Sequence, residues 1–200
     1  VLRNIDGTPH YAEPPNQAAL PAMMWSALGQ TNTTPATTLP DLYTVGGSGQ
    51  FGWQKNKGDG TFAPVVTTTI QAGAVQFALA DLNRDGRLDA VVANINTSTV
   101  DVLLGNGDGT FKVSQANVNG GAAGVALADL NHDNIPDIVA ATISNSSSVT
   151  VALGNGDGTF KAPQNTTGIS SGPSYVPSVG DVNGDGNPDI VEGRYSDGTI

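Results

Sequence analysis

Three nine-residue segments place oxygen-bearing side chains at positions 1, 3, 5 and 9. They read Asp81-Leu-Asn83-Arg-Asp85-Gly86-Arg87-Leu-Asp89, Asp129-Leu-Asn131-His-Asp133-Asn134-Ile135-Pro-Asp137 and Asp181-Val-Asn183-Gly-Asp185-Gly186-Asn187-Pro-Asp189. A hard divalent cation takes roughly six to eight oxygen ligands, and such a loop offers carboxylates, an amide oxygen and the backbone carbonyl at position 7. Position 6 is Gly86, Asn134 or Gly186, the residues that best tolerate the left-handed backbone of a sharp turn. Asp-rich turns that merely cap strands occur alone. Three in register inside a larger repeat are expected to bind.

The charge balance agrees. Eighteen acids stand against eight Lys and Arg, a net charge of −10, and the three loops hold nine of the acids. Three divalent ions would leave −4, so the acidity reads as a demand for cations. It excludes a nucleic-acid partner, which requires a basic face. The chain has no cysteine and therefore no disulfide. It contains no run of 18 apolar residues, so no membrane-spanning helix is expected.

A second motif alternates with the loops. Gly105-Asn-Gly-Asp108-Gly109-Thr110-Phe111 reappears as Gly154-Asn-Gly-Asp157-Gly158-Thr159-Phe160 and as Asn56-Lys-Gly-Asp59-Gly60-Thr61-Phe62, with a weaker copy at Asn4-Ile-Asp6-Gly7-Thr8. A period near 50 residues signals a repeat architecture. Each unit reads as four short strands. In the central one, Gly124–Ala128 enters the acidic loop, Asp137–Thr142 leaves it, Val149–Leu153 follows a polar turn, and Phe160 opens the last strand after an Asn-Gly-Asp-Gly hairpin signal. No helical period is sustained. Four antiparallel strands stacked radially predict an all-β fold, a β-propeller of four-stranded blades. The expected units are residues 1–31 (partial), 32–73 (a degenerate blade without an ion loop), 74–121, 122–170 and 171–200 (partial). About three blade-lengths plus pieces suggest a fragment of a longer chain; the alternatives are strands supplied by another chain and ends that meet in a four-bladed ring.

The segment Ala80-Asp-Leu-Asn-Arg-Asp-Gly-Arg-Leu-Asp89, followed by Val100-Asp-Val-Leu-Leu-Gly-Asn-Gly-Asp-Gly-Thr-Phe111, resembles the FG-GAP and VCBS repeats, the blade type of the integrin alpha-subunit propeller. Residues 75–189 carry the likeness closely. The resemblance implies that each acidic loop joins the first two strands of a blade and binds calcium, three sites in all. It implies the ligands Asp81, Asn83, Asp85, the Arg87 backbone oxygen and Asp89; then Asp129, Asn131, Asp133, Ile135 (backbone) and Asp137; then Asp181, Asn183, Asp185, Asn187 (backbone) and Asp189. One unit departs from the pattern. Asp41 lies 48 residues before Asp89, but Thr33, Pro35 and Thr37 stand where carboxylates should be, so no ion is expected there.

Other chemistry is poorly supplied. The third loop with Glu192 fits an EF-hand expression, but the other loops carry Val92 and Ala140 at that position, and all three flanks are strand-like. His10 and His132 lack a nucleophile to serve, and no catalytic residue is assigned. Trp25 and Trp53 are expected to pack rather than to stack on sugars. Phe62, Phe111 and Phe160 are expected between blades. Arg87 and Arg194 are candidates for pairing with neighbouring carboxylates. The sequons at Asn32, Asn96, Asn145 and Asn165 are read as polar loops. The resulting expectation is a non-enzymatic, calcium-binding extracellular interaction module, secreted or at a cell surface, that meets a protein or a glycan. The alternatives are an accessory propeller of a larger secreted carbohydrate-active enzyme and a lectin-like glycan binder.

Overall fold

The computed structural model describes the backbone of residues 23–29 and the full residues 39–143, 149–166 and 176–192. His10, the side chain of Trp25, the loop positions 33, 35 and 37, Arg194 and the sequons at Asn32 and Asn145 lie outside the described residues. All regular structure among the described residues is β-strand.

The strands form three four-stranded antiparallel sheets and one pair. The first sheet runs β1 (Met23–Gly29), β2 (Asp41–Gly46), β3 (Gln50–Gln54) and β4 (Val66–Thr69), so it begins ahead of the unit boundary expected at residue 32. The second runs β5 (Ala74–Ala80), β6 (Asp89–Asn94), β7 (Thr99–Gly105) and β8 (Phe111–Asn117). The third runs β9 (Ala122–Ala128), β10 (Asp137–Thr142), β11 (Val149–Ala152) and β12 (Gln164–Asn165). The pair is β13 (Ser178–Gly180) with β14 (Asp189–Val191). Sequential order within each sheet is the up-and-down meander of a propeller blade, and the sheets pack face to face.

Stacking on both faces explains the apolar runs. In β6, Ala90 and Val92 face the first blade with Tyr43, Phe51, Trp53, Phe77 and Leu103. Val91 and Ala93 face the third blade with Val102, Val125, Ile138 and Ala140. All six residues of β6 and all six of β10 are buried. A strand covered on both sides loses the alternation of a half-exposed one. Gln76 joins two blades through its buried amide oxygen, which accepts the Val125 N–H at 2.7 Å. Leu82 lies in the same core at 2% exposure, whereas Val182, at the matching place of the last pair, is 71% exposed.

The hairpin turns also contact the neighbouring blade. Gly109 has a positive φ of 89°, and a Cβ there would meet the Trp53 ring at 1.9 Å. Gly158 has the same place over Leu104, at 2.7 Å. The turn of one blade therefore seats a side chain of the blade before it, and the glycine supplies both the left-handed backbone and the space. Phe111 follows the turn into the same seam and meets Phe51 edge-on at 5.3 Å. Phe160 packs on the next core in the same way.

A paired substitution separates the two demands on these glycines. Gly109→Ala is expected to cost about 2–4 kcal/mol, the sum of a strained φ and a collision with Trp53. Gly60→Ala, at φ 83° with nothing within 4 Å, should cost only the backbone part, about 1–2 kcal/mol. Urea unfolding of both variants tests this, and equal losses would refute the seating role.

Candidate functional site

Each acidic loop connects the first two strands of its blade: 81–88 joins β5 to β6, 129–136 joins β9 to β10, and 181–188 joins β13 to β14. The strands end because the loop side chains take over the hydrogen bonding of the backbone. The Asp81 carboxylate accepts the Asp85 N–H at 3.2 Å and the Gly86 N–H at 2.8 Å. The Asn83 Oδ1 accepts the Asp85 N–H at 3.1 Å, and the Asp85 carboxylate accepts the Arg87 N–H at 2.9 Å. The second loop repeats these bonds with Asp129, Asn131 and Asp133, the third with Asp181, Asn183 and Asp185. Position 6 has φ 80° at Gly86, 60° at Asn134 and 86° at Gly186, as the turn requires.

Position 9 behaves differently. Asp89 is fully buried, and its two oxygens accept the Leu82 N–H at 2.8 Å and the Gly105 N–H at 2.7 Å. Asp137 does the same with Leu130 and Gly154, at 2.9 and 2.8 Å. One carboxylate thus ties the entry of the acidic loop to the start of the Gly-Asn-Gly-Asp-Gly turn. Asp41 keeps this latch in the first blade: it accepts the Asn56 N–H at 2.7 Å and the Trp53 indole N–H at 3.2 Å. The latch therefore survives in a unit whose sequence lacks the other loop carboxylates. Asp189 accepts the Val182 N–H at 3.0 Å.

The electrostatics follow from this geometry. Burial pushes the Asp89 carboxyl up to about 6, against two backbone donors, and the charges of Asp85 and Asp81 add to the rise. Asp137 is raised by burial in the same way, with Asp133 and Asp129 contributing. Asp185 lies low because the Asn187 N–H and the Asn183 amide stabilise its charge, and Asp181 lies low chiefly through the Gly186 N–H. At Asp129, desolvation is outweighed by the N–H groups of Asn134, Asp133 and His132. One ion pair is present among the described residues, Arg87 to Asp85 at 3.3 Å between exposed side chains. The Arg87 stem also lies 3.2 Å from where a Cβ of Gly107 would stand, and Ile135 covers Gly156 similarly. The side chain at position 7 thus lies over the turn of its own blade.

Within each loop positions 1, 3 and 5 meet on one turn, whereas position 9 is turned inward onto two amides at Asp89 and Asp137 and is half-buried at Asp189. The donors are hard oxygens with little cationic compensation, the chemistry a divalent metal takes, but among the described residues no three carboxylates or histidines stand grouped to hold one. Two roles escaped the sequence. The latch could have been found from Asp41, the lone acid at the repeat spacing in a unit without a loop. Asp101 is a buried carboxylate on β7, raised by burial and holding the Gln71 N–H at 3.0 Å. It was legible only as a charge inside an apolar run. Trp53 is core, as expected, and His132 is exposed.

Comparison with known proteins adds to this picture. The FG-GAP-like repeat matches three times, over residues 38–92, 81–140 and 129–192. No curated protein matches the chain. Among solved structures, one describes the basis of specific recognition of non-reducing terminal N-acetylglucosamine by an Agrocybe aegerita lectin. It superimposes with a TM-score of 0.58 at 27% sequence identity, covering 82% of this chain and 45% of the lectin chain. This chain therefore spans less than half the length of that relative.

Two measurements in excess chelator test the latch. Asp89→Ala and Asp41→Ala should each lose about 2–5 kcal/mol in urea unfolding, because two donors lose their acceptor. Asp89 should titrate near pH 6 by carboxyl NMR. Its folded pKa lies above the unfolded value of 3.8. Its contribution to stability is then full below pH 3.8 and lost as pH rises through 6. Asp89→Ala should flatten that decline; an unchanged decline would count against the assignment.

Proposed function

The chain belongs to the FG-GAP-like repeat family, and from that premise we propose that it is a calcium-stabilised β-propeller module that binds an extracellular partner. One observation carries the calcium reading. Three loops repeat one geometry in which two carboxylates share an exposed turn, and in the first two a third carboxylate, buried behind them, is raised partly by their charge. A divalent cation removes that repulsion and stabilises the loop in its folded shape. Asp81, Asn83, Asp85 and the Arg87 carbonyl would hold the ion in the first loop, with Asp89 behind them. The second loop offers Asp129, Asn131, Asp133, Ile135 and Asp137, the third Asp181, Asn183, Asp185, Asn187 and Asp189. The ion supplies charge compensation, and the role is structural. Sites of this kind suit the millimolar calcium outside cells, so the module is read as secreted or surface-bound and as non-enzymatic.

A glycan is the partner class we favour, with a protein ligand or an accessory role in a larger secreted enzyme as the alternatives. The similarity to a sugar-binding lectin supports it. The distribution of charge supports it too. The acidic loops and the Asp-Gly turns share one end of the blades. The connections at the other end, residues 47–49, 70–73, 95–98 and 118–121, contain no ionisable side chain and present amides and hydroxyls. A neutral polyhydroxyl ligand meets no charge to desolvate there.

Calcium at about 10 mM should stabilise the protein by about 1–3 kcal/mol per filled loop over the chelated form, a rise of several degrees in the thermal midpoint. An identical midpoint with and without calcium, in protein freed of metal, would defeat the calcium reading. A glycan array probed with and without calcium tests the partner class. Binding to neutral N-acetylated sugars is expected, and silence on every glycan would favour a protein ligand.

A further inference from the structure

The residue at position 4 of each acidic loop has no part in the oxygen pattern, yet its backbone is unusual. Arg84 and His132 are non-glycine residues with φ of 63° and 61°, while the third loop has Gly184 there at 78°. A Cβ in that region is disfavoured, so Arg84 and His132 hold a conformation that glycine adopts freely. Both side chains then reach forward into the next loop. The Arg84 Nη2 donates to the Asp133 carbonyl at 2.9 Å, across 49 residues of sequence. His132 Nε2 lies 3.4 Å from the Asn187 Oδ1, across 55 residues. Asp133 is position 5 of its loop and Asn187 is position 7, so both contacts land on the ligand-bearing segment. Arg84 also borders the turn of the next blade, with its Nε 3.9 Å from where a Cβ of Gly156 would stand. The same position in successive blades thus makes the same kind of forward contact, by two unrelated side chains.

We propose that the position-4 side chains act as struts that couple neighbouring acidic loops, so that ordering one loop by calcium favours ordering of the next. The inference rests on the calcium reading above and concerns how the sites communicate. The guanidinium of Arg84 fixes the carbonyl between Asp133 and Asn134, and thereby the run of backbone that must present the Ile135 oxygen. When the first loop is closed, the Arg84 Cα is held in its left-handed conformation and the strut is in place. When the first loop opens, the strut is released and the second loop loses a donor. Coupling of this kind is a differential free energy between two states of each loop, and it is reciprocal.

The test uses the full chain and calcium alone. Asp81→Asn with Asp85→Asn disables the first loop, and calcium is titrated while the backbone amides of Asn134 and Ile135 in the second loop are followed by NMR. With Arg84 present, disabling the first loop should weaken calcium binding at the second about fivefold or more. In an Arg84→Gly background the same disabling change should leave the second loop's affinity unaltered. Glycine suits the φ at this position, so the variant is expected to fold, and hydrogen exchange in β6 and β10 checks that it has. His132→Gly should uncouple the third loop from the second in the same way. Equal weakening with and without Arg84, or no weakening in either, overturns the strut while leaving the calcium reading intact. Absence of calcium binding in every loop overturns both.

Discussion

The buried carboxylate that opens the second strand of each four-stranded blade is the contact on which the rest of that blade depends. Asp41, Asp89 and Asp137 each sit at the first residue of a blade's second strand, and each accepts the backbone N–H at the start of the outer hairpin turn. Asp89 and Asp137 also accept an N–H from the entry of the loop. A single side chain thereby fixes where the inner hairpin opens, where the outer hairpin begins, and how far apart they stand. An ionised group buried in this way is expensive unless its oxygens are occupied. Here both are occupied, but by neutral donors, and in the second and third blades the neighbouring loop carboxylates work against it. The blade is thus held together by a group whose charge is disfavoured both by burial and by its acidic neighbours.

From that latch the packing follows. Once the outer turn is placed, its second Asp-Gly glycine lies against the preceding blade, over Trp53 or Leu104, and the phenylalanine after it enters the seam between sheets. The inner strands β6 and β10 are then covered on both faces, which is why they carry alanine and valine without polar interruption. Small side chains are needed because two sheets must approach from opposite sides of one strand. The latch, the turn and the two-faced strand are three parts of one device, and the sequence period of about fifty residues is the length of chain required to build it once.

Much of this was legible in the residues. The central unit's strands at 124–128, 137–142 and 149–153 follow from β-branched and alanine-rich runs between turn signals, and its hairpin from Asn-Gly and Asp-Gly. The gathering of positions 1, 3 and 5 followed from spacing alone. What could not be read were contacts set by the third dimension. Position 9 looks like one more ligand in a linear pattern, and only the fold shows it turned inward on two amides. The first blade begins at β1, ahead of a boundary placed by counting, because the connection from β1 to β2 is longer than the loops that share the repeat. The seating of Trp53 beneath Gly109 depends on residues 56 apart in adjacent blades, a distance over which local pattern carries no signal.

The arrangement also separates two chemistries, carboxylate-rich loops at one end of the blades and uncharged turns at the other. Loops that gather carboxylates are poor surfaces for a neutral ligand, because every approaching hydroxyl must displace water held by charge. Antiparallel meanders place every β1–β2-type loop and every outer hairpin at one end, and every inner turn and inter-blade linker at the other. The turns and linkers at the second end, residues 47–49, 70–73, 95–98 and 118–121, carry no ionisable side chain, and Asp101, which holds the Gln71 N–H there, is buried.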